Sequence, residues 1–132
     1  YIEKSDSTEN TKNLRQIINE KEVKNFLINK GFQSITLGNL HFNDQVKIFN
    51  NAEIITGLHG AGFANLCFCK AGTKIVELKN NTAGRVIEHL AVTNQLIYKS
   101  ISCQSFVFDE QSQFGHIKVP IDSLEKIIEG LH

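Results

Sequence analysis

The sequence predicts an α/β domain, a Rossmann-like, doubly wound and mostly parallel sheet with helices between its strands. Three observations predict it. Short apolar, β-branched runs recur at 53–56, 73–78 and 96–101. Helical stretches of roughly 10–15 residues separate them, so neighbouring strands are joined by crossovers and run parallel. A glycine-rich turn, Thr56-Gly57-Leu58-His59-Gly60-Ala61-Gly62-Phe63-Ala64-Asn65, directly follows one of these strands. That is the mouth of such a sheet, where ligands bind.

The elements follow in order. Tyr1-Ile2 reads as the end of a first strand, and residues 3–13 as a polar loop. Asn19 opens a helix, with Glu22 three residues on as in a capping box. Val23, Phe26 and Leu27 form its apolar stripe and Gly31 stops it. Residues 33–37 are short and β-branched, a strand. A second helix covers about 43–51, buried through Val46 and Phe49. After the strand at 53–56 and the glycine turn, residues 63–68 make a short helix or turn. The strand at 73–78 leads to a helix over 82–93 that buries Ala83, Val86, Ile87, Leu90 and Ala91. Beyond the strand at 96–101, residues 106–108 look extended and 111–115 look like loop. A last helix, capped by Asp122, carries Leu124, Ile127, Ile128 and Leu131 on one face.

Composition narrows the function. One domain of 132 residues buries a core without staples or metals. With 14 basic and 14 acidic residues the net charge is zero, so no nucleic-acid footprint is expected. No apolar run approaches the roughly 20 residues of a spanning helix, and no secretory leader is present. The chain opens at Tyr1 and holds no methionine, which predicts a piece of something longer. Its three cysteines lack metal-like spacing and point to a reducing compartment, with Cys67 and Cys69 as buried small hydrophobes.

The glycine turn has two readings. Gly60-x-Gly62 after a strand is part of a dinucleotide fingerprint, but small residues there also make a tight turn for packing reasons. As a binding loop, it would bring backbone N–H groups close to a bulky anion. Glu77, near the end of the next strand, is placed either to accept from ribose hydroxyls or to be a solvated strand-end carboxylate. His59 sits where an imidazole N–H could donate to a phosphate oxygen. His41, His89, His116 and His132 have no such setting and read as surface or helix-face residues.

A spaced set of landmarks adds to this. Arg15-x-x-x-Asn19-Glu20, Gly31-Phe32, Gln45-x-x-x-Phe49-x-x-Ala52, Gly57-x-His59-Gly60-Ala61-Gly62, Asn65-x-x-Phe68, Gly72 and Glu77-Leu78 resemble the glycosyltransferases of family sixty-one. That family includes plant xylan xylosyl- and arabinosyltransferases, animal transferases that add N-acetylglucosamine to proteins, and bacterial capsular-polysaccharide enzymes. The resemblance runs from Tyr1 to about Tyr98. It departs at Phe63, where the family has leucine, and near the start, where Lys4 and Leu14-Arg15 replace a richer arginine set.

The resemblance implies the donor-binding, C-terminal half of a two-domain GT-B enzyme whose N-terminal domain lies outside this chain. A nucleotide sugar, a UDP-sugar first of all, would bind through Arg15, Gly57, His59, Gly60, Ala61, Gly62, Asn65 and Glu77. Gly60 and Gly62 would turn N–H groups to the diphosphate, and Arg15 would grip it by charge-assisted hydrogen bonds. Stabilising the leaving nucleoside diphosphate would be the chief catalytic task. Inversion at the anomeric carbon needs a base to deprotonate the acceptor, which is a glycan or a protein. His59 is the local candidate for it, although a phosphate role suits that residue better.

No cofactor or metal is implied: no Asp-x-Asp occurs, and Asp109-Glu110 reads as an exposed acidic turn. The rival class is a non-catalytic nucleotide- or sugar-binding module. An esterase is set aside, since His59-Gly60-Ala61-Gly62 is similar to a lipase oxyanion loop but no Gly-x-Ser-x-Gly elbow accompanies it. The lack of paired cysteines points to a bacterial cytoplasm, with membrane association, as the location; the alternative is the secretory lumen of a eukaryote.

Overall fold

The computed structural model describes residues 1–3, 16–106 and 116–132, without the side chains of Ala61 and Phe106. Arg15, Asp109-Glu110 and the proposed loops at 4–13 and 111–115 lie outside the described residues, as do Val107 and Phe108.

The chain runs through α1 (Glu20–Asn29), α2 (Phe42–Asn51), β1 (Ile54–Leu58), a 3-10 helix (Ala61–Phe68), β2 (Lys74–Lys79), α3 (Val86–Thr93), β3 (Ile97–Ser102), β4 (Gln104–Phe106), β5 (His116–Lys118) and α4 (Ile121–Gly130). β1, β2 and β3 form a parallel sheet in that order. Single parallel bridges extend it beyond β1: Ile2 pairs with Gly57 on one side and Ile35 on the other. The Ile2 N–H donates to the Thr56 carbonyl at 2.9 Å, and the Ile35 N–H to the Tyr1 carbonyl at 2.9 Å. Across the sheet the order is therefore Ile35, Ile2, β1, β2, β3, a doubly wound order 2-1-3-4-5 with its switch point between Ile2 and β1. β4 and β5 form an antiparallel hairpin, to which Ile17 adds a parallel bridge at Ile117.

Both faces of the sheet are covered, which is why its strands are apolar on both sides. Leu58, Val76, Leu78 and Ile101 pack with Val23 and Leu27 of α1 and Leu124 and Ile128 of α4. On the other face, Ile55 and Ile75 pack with Phe49 of α2, Phe63 and Leu66 of the 3-10 helix, and Ile87 and Ala91 of α3. Helix, sheet, helix is the layered α/β arrangement the sequence predicts, and it is consistent with a Rossmann-like fold.

The helix ends are instructive. α1 stops as expected: Gly31, at φ +92°, donates to the Ile28 carbonyl while Phe32 donates to Leu27. That pair of bonds is a Schellman motif, which glycine enters without a Cβ penalty. Its start differs from a capping box. Asn19 makes no side-chain bond to the helix N–H groups. Its amide instead accepts from the Val119 N–H at 2.9 Å and donates to the Val119 carbonyl at 2.8 Å, linking α1 to the strand end before α4.

Three further boundaries move. The strand at 33–37 shrinks to the Ile35 bridge, because the chain turns into a short 3-10 helix at Leu37–Asn39. The helix at 82–93 begins only at Val86, which is 69% exposed rather than buried. Asn80 Oδ1 accepts from the Thr82 N–H and hydroxyl, an Asx turn that keeps residues 80–83 out of the helix. In α4, Pro120 occupies the cap position, and Asp122 lies within the first turn, where its carboxylate complements the helix dipole. The cysteine reading also changes. Cys67 is exposed and Cys69 half-buried; only Cys103, which the reading left aside, is buried.

Candidate functional site at the carboxyl end of the sheet

β1 ends in Gly57-Leu58, and the ladder continues one step, with the His59 N–H donating to the Leu78 carbonyl at 2.9 Å. This bond fixes the His59 backbone against β2 and aims its side chain along the face occupied by Glu77. Gly57 and Glu77 are register partners, and Ser100 of β3 is the partner on the far side. Two small residues therefore flank the long acidic one.

Glu77 is fully buried within β2, not a solvated strand-end carboxylate. Its Oε2 lies 3.1 Å from His59 Nδ1, and its Oε1 accepts from the Tyr98 hydroxyl at 2.9 Å. The Lys79 ammonium stands 3.7 Å from Oε1. A buried carboxylate carries a large desolvation cost unless it is paired and hydrogen-bonded, and both of its oxygens are engaged here. With Nδ1–H directed at Glu77, the ring of His59 has only Nε2 left for any other partner. The His59 side chain is 16% exposed, enough for contact at one edge.

Burial first, then the adjacent Glu77 charge and the hydrogen bond to it, push the Tyr98 phenol well above its ordinary range. It therefore stays a donor at any physiological pH. Tyr98 and Lys79 were missed in the sequence reading. The detectable signal was parity: residues 77 and 79 of β2, and 98 and 100 of β3, share one face of the sheet.

Gly60 opens the 3-10 helix at φ 162°, which is extended backbone open to any residue, and a Cβ there would meet nothing closer than 3.9 Å. Gly62 is different. A Cβ on it would lie 3.3 Å from both Ile2 Cγ2 and Leu37 Cδ1. Gly57 is tighter still, at 3.2 Å from Ile2 Cβ. Neither Gly60 nor Gly62 lies in the left-handed region, so the turn carries no left-handed strain at either. The first N–H groups of the 3-10 helix have no carbonyl behind them within the helix, and they start beside His59.

Asn65 points elsewhere. Its Nδ2 donates to Gln45 Oε1 at 2.9 Å, and Gln45 Nε2 donates to the Leu37 and Leu40 carbonyls. This amide chain ties the 3-10 helix to α2 and to the turn before it. The structure thus pairs His59 with Glu77 at the carboxyl ends of β1 and β2, sets Gly57 opposite Glu77 with Gly60 and Gly62 in the turn that follows, and makes Asn65 a brace to α2.

A cleft of about 480 Å³ opens at the opposite, amino end of the strands, lined by Phe32, Ile35, Lys47, Phe49 and Ile54 among others, and it includes neither His59 nor Glu77. In an open parallel sheet ligand chemistry belongs to the carboxyl ends, so the His59 side is the candidate site. Among the described residues, no helix is long and apolar enough to cross a membrane.

Comparison with known proteins bears on this site. The model of the family Glycosyltransferase 61 matches residues 1–76, which include the Ile2 bridges, β1 and the whole glycine turn. The chain is also similar to the EGF domain-specific O-linked N-acetylglucosamine transferase of Canis lupus familiaris, 30% identical over 107 residues. That match covers 77% of this chain and 20% of the relative, so the chain spans about a fifth of that protein's length.

Proposed function

The chain belongs to the glycosyltransferase 61 family, and from that premise we propose that it is the donor-binding part of an inverting glycosyltransferase of GT-B type. The observation that carries the reading is the His59–Glu77 pair, held at the start of the glycine turn at the carboxyl ends of β1 and β2. The donor is a nucleotide sugar, in the first place a UDP-sugar. The likeness to a transferase named for N-acetylglucosamine and EGF domains favours an N-acetylhexosamine and a protein hydroxyl as acceptor. EGF domains are disulfide-dense extracellular modules, so that acceptor also favours a secretory lumen over a bacterial cytoplasm.

In the reaction the acceptor oxygen attacks the anomeric carbon as the bond from that carbon to the diphosphate breaks. The acceptor proton passes to a base, and the electron pair leaves with the nucleoside diphosphate. This chain's part is to receive the leaving charge. The opening N–H groups of the 3-10 helix face the diphosphate. As the imidazolium, protonated on both nitrogens when the anion is bound, His59 donates to it through Nε2–H while Nδ1–H stays on Glu77. Preorganised donors of this kind act where negative charge grows. Arg15, outside the described residues, supplies a further cation on this reading. Glu77 is spent on holding His59 and Tyr98, which replaces the ribose role expected for it. The acceptor site and the base come from the rest of the enzyme, so this chain alone binds donor without turnover.

Ligand-observed NMR of this chain with UDP, UDP-N-acetylglucosamine, GDP-mannose and a CMP-sugar tests the proposal. Saturation transfer to the uridine ligands, weak because half the cleft is missing, is expected. No transfer to any nucleotide at millimolar concentration would sink the donor-site reading.

A further inference from the structure

We propose that Tyr98 is a positioning residue for His59, acting through Glu77. The inference rests on the donor-site reading of His59 and adds what sets that ring's working atom. The geometry is a short chain of hydrogen bonds: Tyr98 hydroxyl to Glu77 Oε1 at 2.9 Å, and Glu77 Oε2 to His59 Nδ1 at 3.1 Å. A carboxylate with one oxygen anchored cannot rotate freely, so its other oxygen keeps a fixed direction. That oxygen in turn fixes which ring nitrogen of His59 carries the inward proton and which faces the site.

The surroundings leave few other groups to do this. Lys79, on the same strand, stands 3.7 Å from Oε1, beyond hydrogen-bond length, and balances charge without fixing orientation. From β3, Tyr98 also bonds with Ser100. From α3, Arg85 and Glu88 pair with each other at 2.9 Å, and their charges face Tyr98. His89 lies beside Glu88 on the same helix. The phenol is thus the neutral donor that completes the buried carboxylate. Removing it leaves Oε1 with an ammonium at a distance, and the carboxylate free to turn towards Lys79.

The test uses Tyr98→Phe, which keeps the ring and removes one oxygen. The first readout is the ¹⁵N spectrum of the His59 ring in the unliganded chain. The expected wild-type pattern is a protonated, slowly exchanging Nδ1, and in Tyr98→Phe that proton signal broadens as the two tautomers mix. The second readout is UDP affinity, expected to fall on the order of threefold to tenfold, the range of one indirect hydrogen-bond loss. His59→Ala with Tyr98→Phe should lose no more than His59→Ala alone, because both changes remove one pathway. Additive losses, or an Nδ1 signal unchanged in Tyr98→Phe, would overturn the proposal. So would a wild-type His59 protonated on Nε2 alone, which needs no variant to fold. A chain that binds no UDP yet loses its Nδ1 signal in Tyr98→Phe would keep Tyr98 as positioner and remove the donor reading instead.

Discussion

Gly57 and Glu77 lie opposite each other in parallel register across β1 and β2, the barest residue of the sheet beside its buried acid. The glycine answers two neighbours at once. On its own face, the space a side chain would occupy is filled by Ile2 and the tip of Phe63. The same absence lets the Ile2 segment approach β1 closely enough to bridge at Gly57. Close approach of backbone to backbone, rather than an unusual φ, is the reason for glycine here.

Gly57→Ala should therefore destabilise the fold by about 1–3 kcal/mol, the cost of inserting a methyl into a filled site. Urea unfolding of the variant checks this. An unchanged midpoint would mean that Ile2 and Phe63 move aside without penalty.

The two glycines of the turn separate packing from ligand approach. Gly60→Ala meets open space on extended backbone, so its melting temperature should stay within a degree or two of the parent. Its UDP affinity should still fall, because the methyl stands where phosphate must come near the N–H groups. Gly62→Val should lose stability first, since its side chain drives into Ile2 and Leu37. Paired thermal melts and UDP titrations of both variants decide the matter. A Gly60→Ala protein that binds UDP as well as the parent would leave the loop as a turn only.

Much of this fold was legible because its signals are local. The alternation of apolar runs with helical stretches marked the layers, and Gly31 marked the end of α1. What escaped depended on distant partners. Asn19 has the look of a cap, but apart from the Glu22 carboxylate at 3.3 Å the groups it bonds belong to Val119, on the far side of the sequence. The late start of α3 follows from Asn80 folding its side chain onto Thr82, a competition that helix periodicity does not register. Glu77 was read either as a ribose acceptor or as a solvated strand-end carboxylate, and the structure buries it completely. A charged residue in a strand reads as solvated until the strands on either side show that His59 and Tyr98 close over it. Gln45 and Asn65 stood out only as family landmarks, and their hydrogen bond makes them scaffold.

Asn19→Ala removes both bonds to Val119 and should cost about 1–3 kcal/mol, since it also leaves buried backbone groups unsatisfied. Asn19→Asp keeps the acceptor for the Val119 N–H but sets a carboxylate against the Val119 carbonyl, so it should rescue less than half. Hydrogen exchange of the Val119 amide is the specific readout. If that amide stays as protected in Asn19→Ala as in the parent, the link is not holding the two segments together.

Thr56 offers the opposite sign. Its hydroxyl is fully buried in β1 and has no hydrogen-bond partner among the described residues. Thr56→Val keeps the shape and removes the unsatisfied group, whose burial costs about 1–3 kcal/mol. The variant should unfold at higher urea than the parent. A lower midpoint would show that the hydroxyl does satisfy a partner.

Alkaline titration probes the same core through its weak acids. Burial pushes the thiols of Cys69 and Cys103 from 9.0 up to about 11. Burial, then a neighbouring carboxylate, pushes both tyrosines up as well, Tyr1 beside Glu20 and Tyr98 beside Glu77. Each of these groups holds its proton more tightly folded than unfolded. The stability they contribute is therefore complete below the unfolded values and is lost as pH rises towards the folded ones. The thiol contribution should decline from pH 9.0 to about 11, and the tyrosine contribution from about pH 10 upward. The difference between parent and Tyr98→Phe isolates one phenol: the variant should show a shallower fall in stability above about pH 10 and an unchanged slope below it. Urea unfolding at a series of pH values, with tyrosinate absorbance followed in parallel, measures both. Parallel curves across the whole range would mean that the Tyr98 phenol ionises as freely in the folded chain as in the unfolded one, and that its bond to Glu77 does not hold in solution.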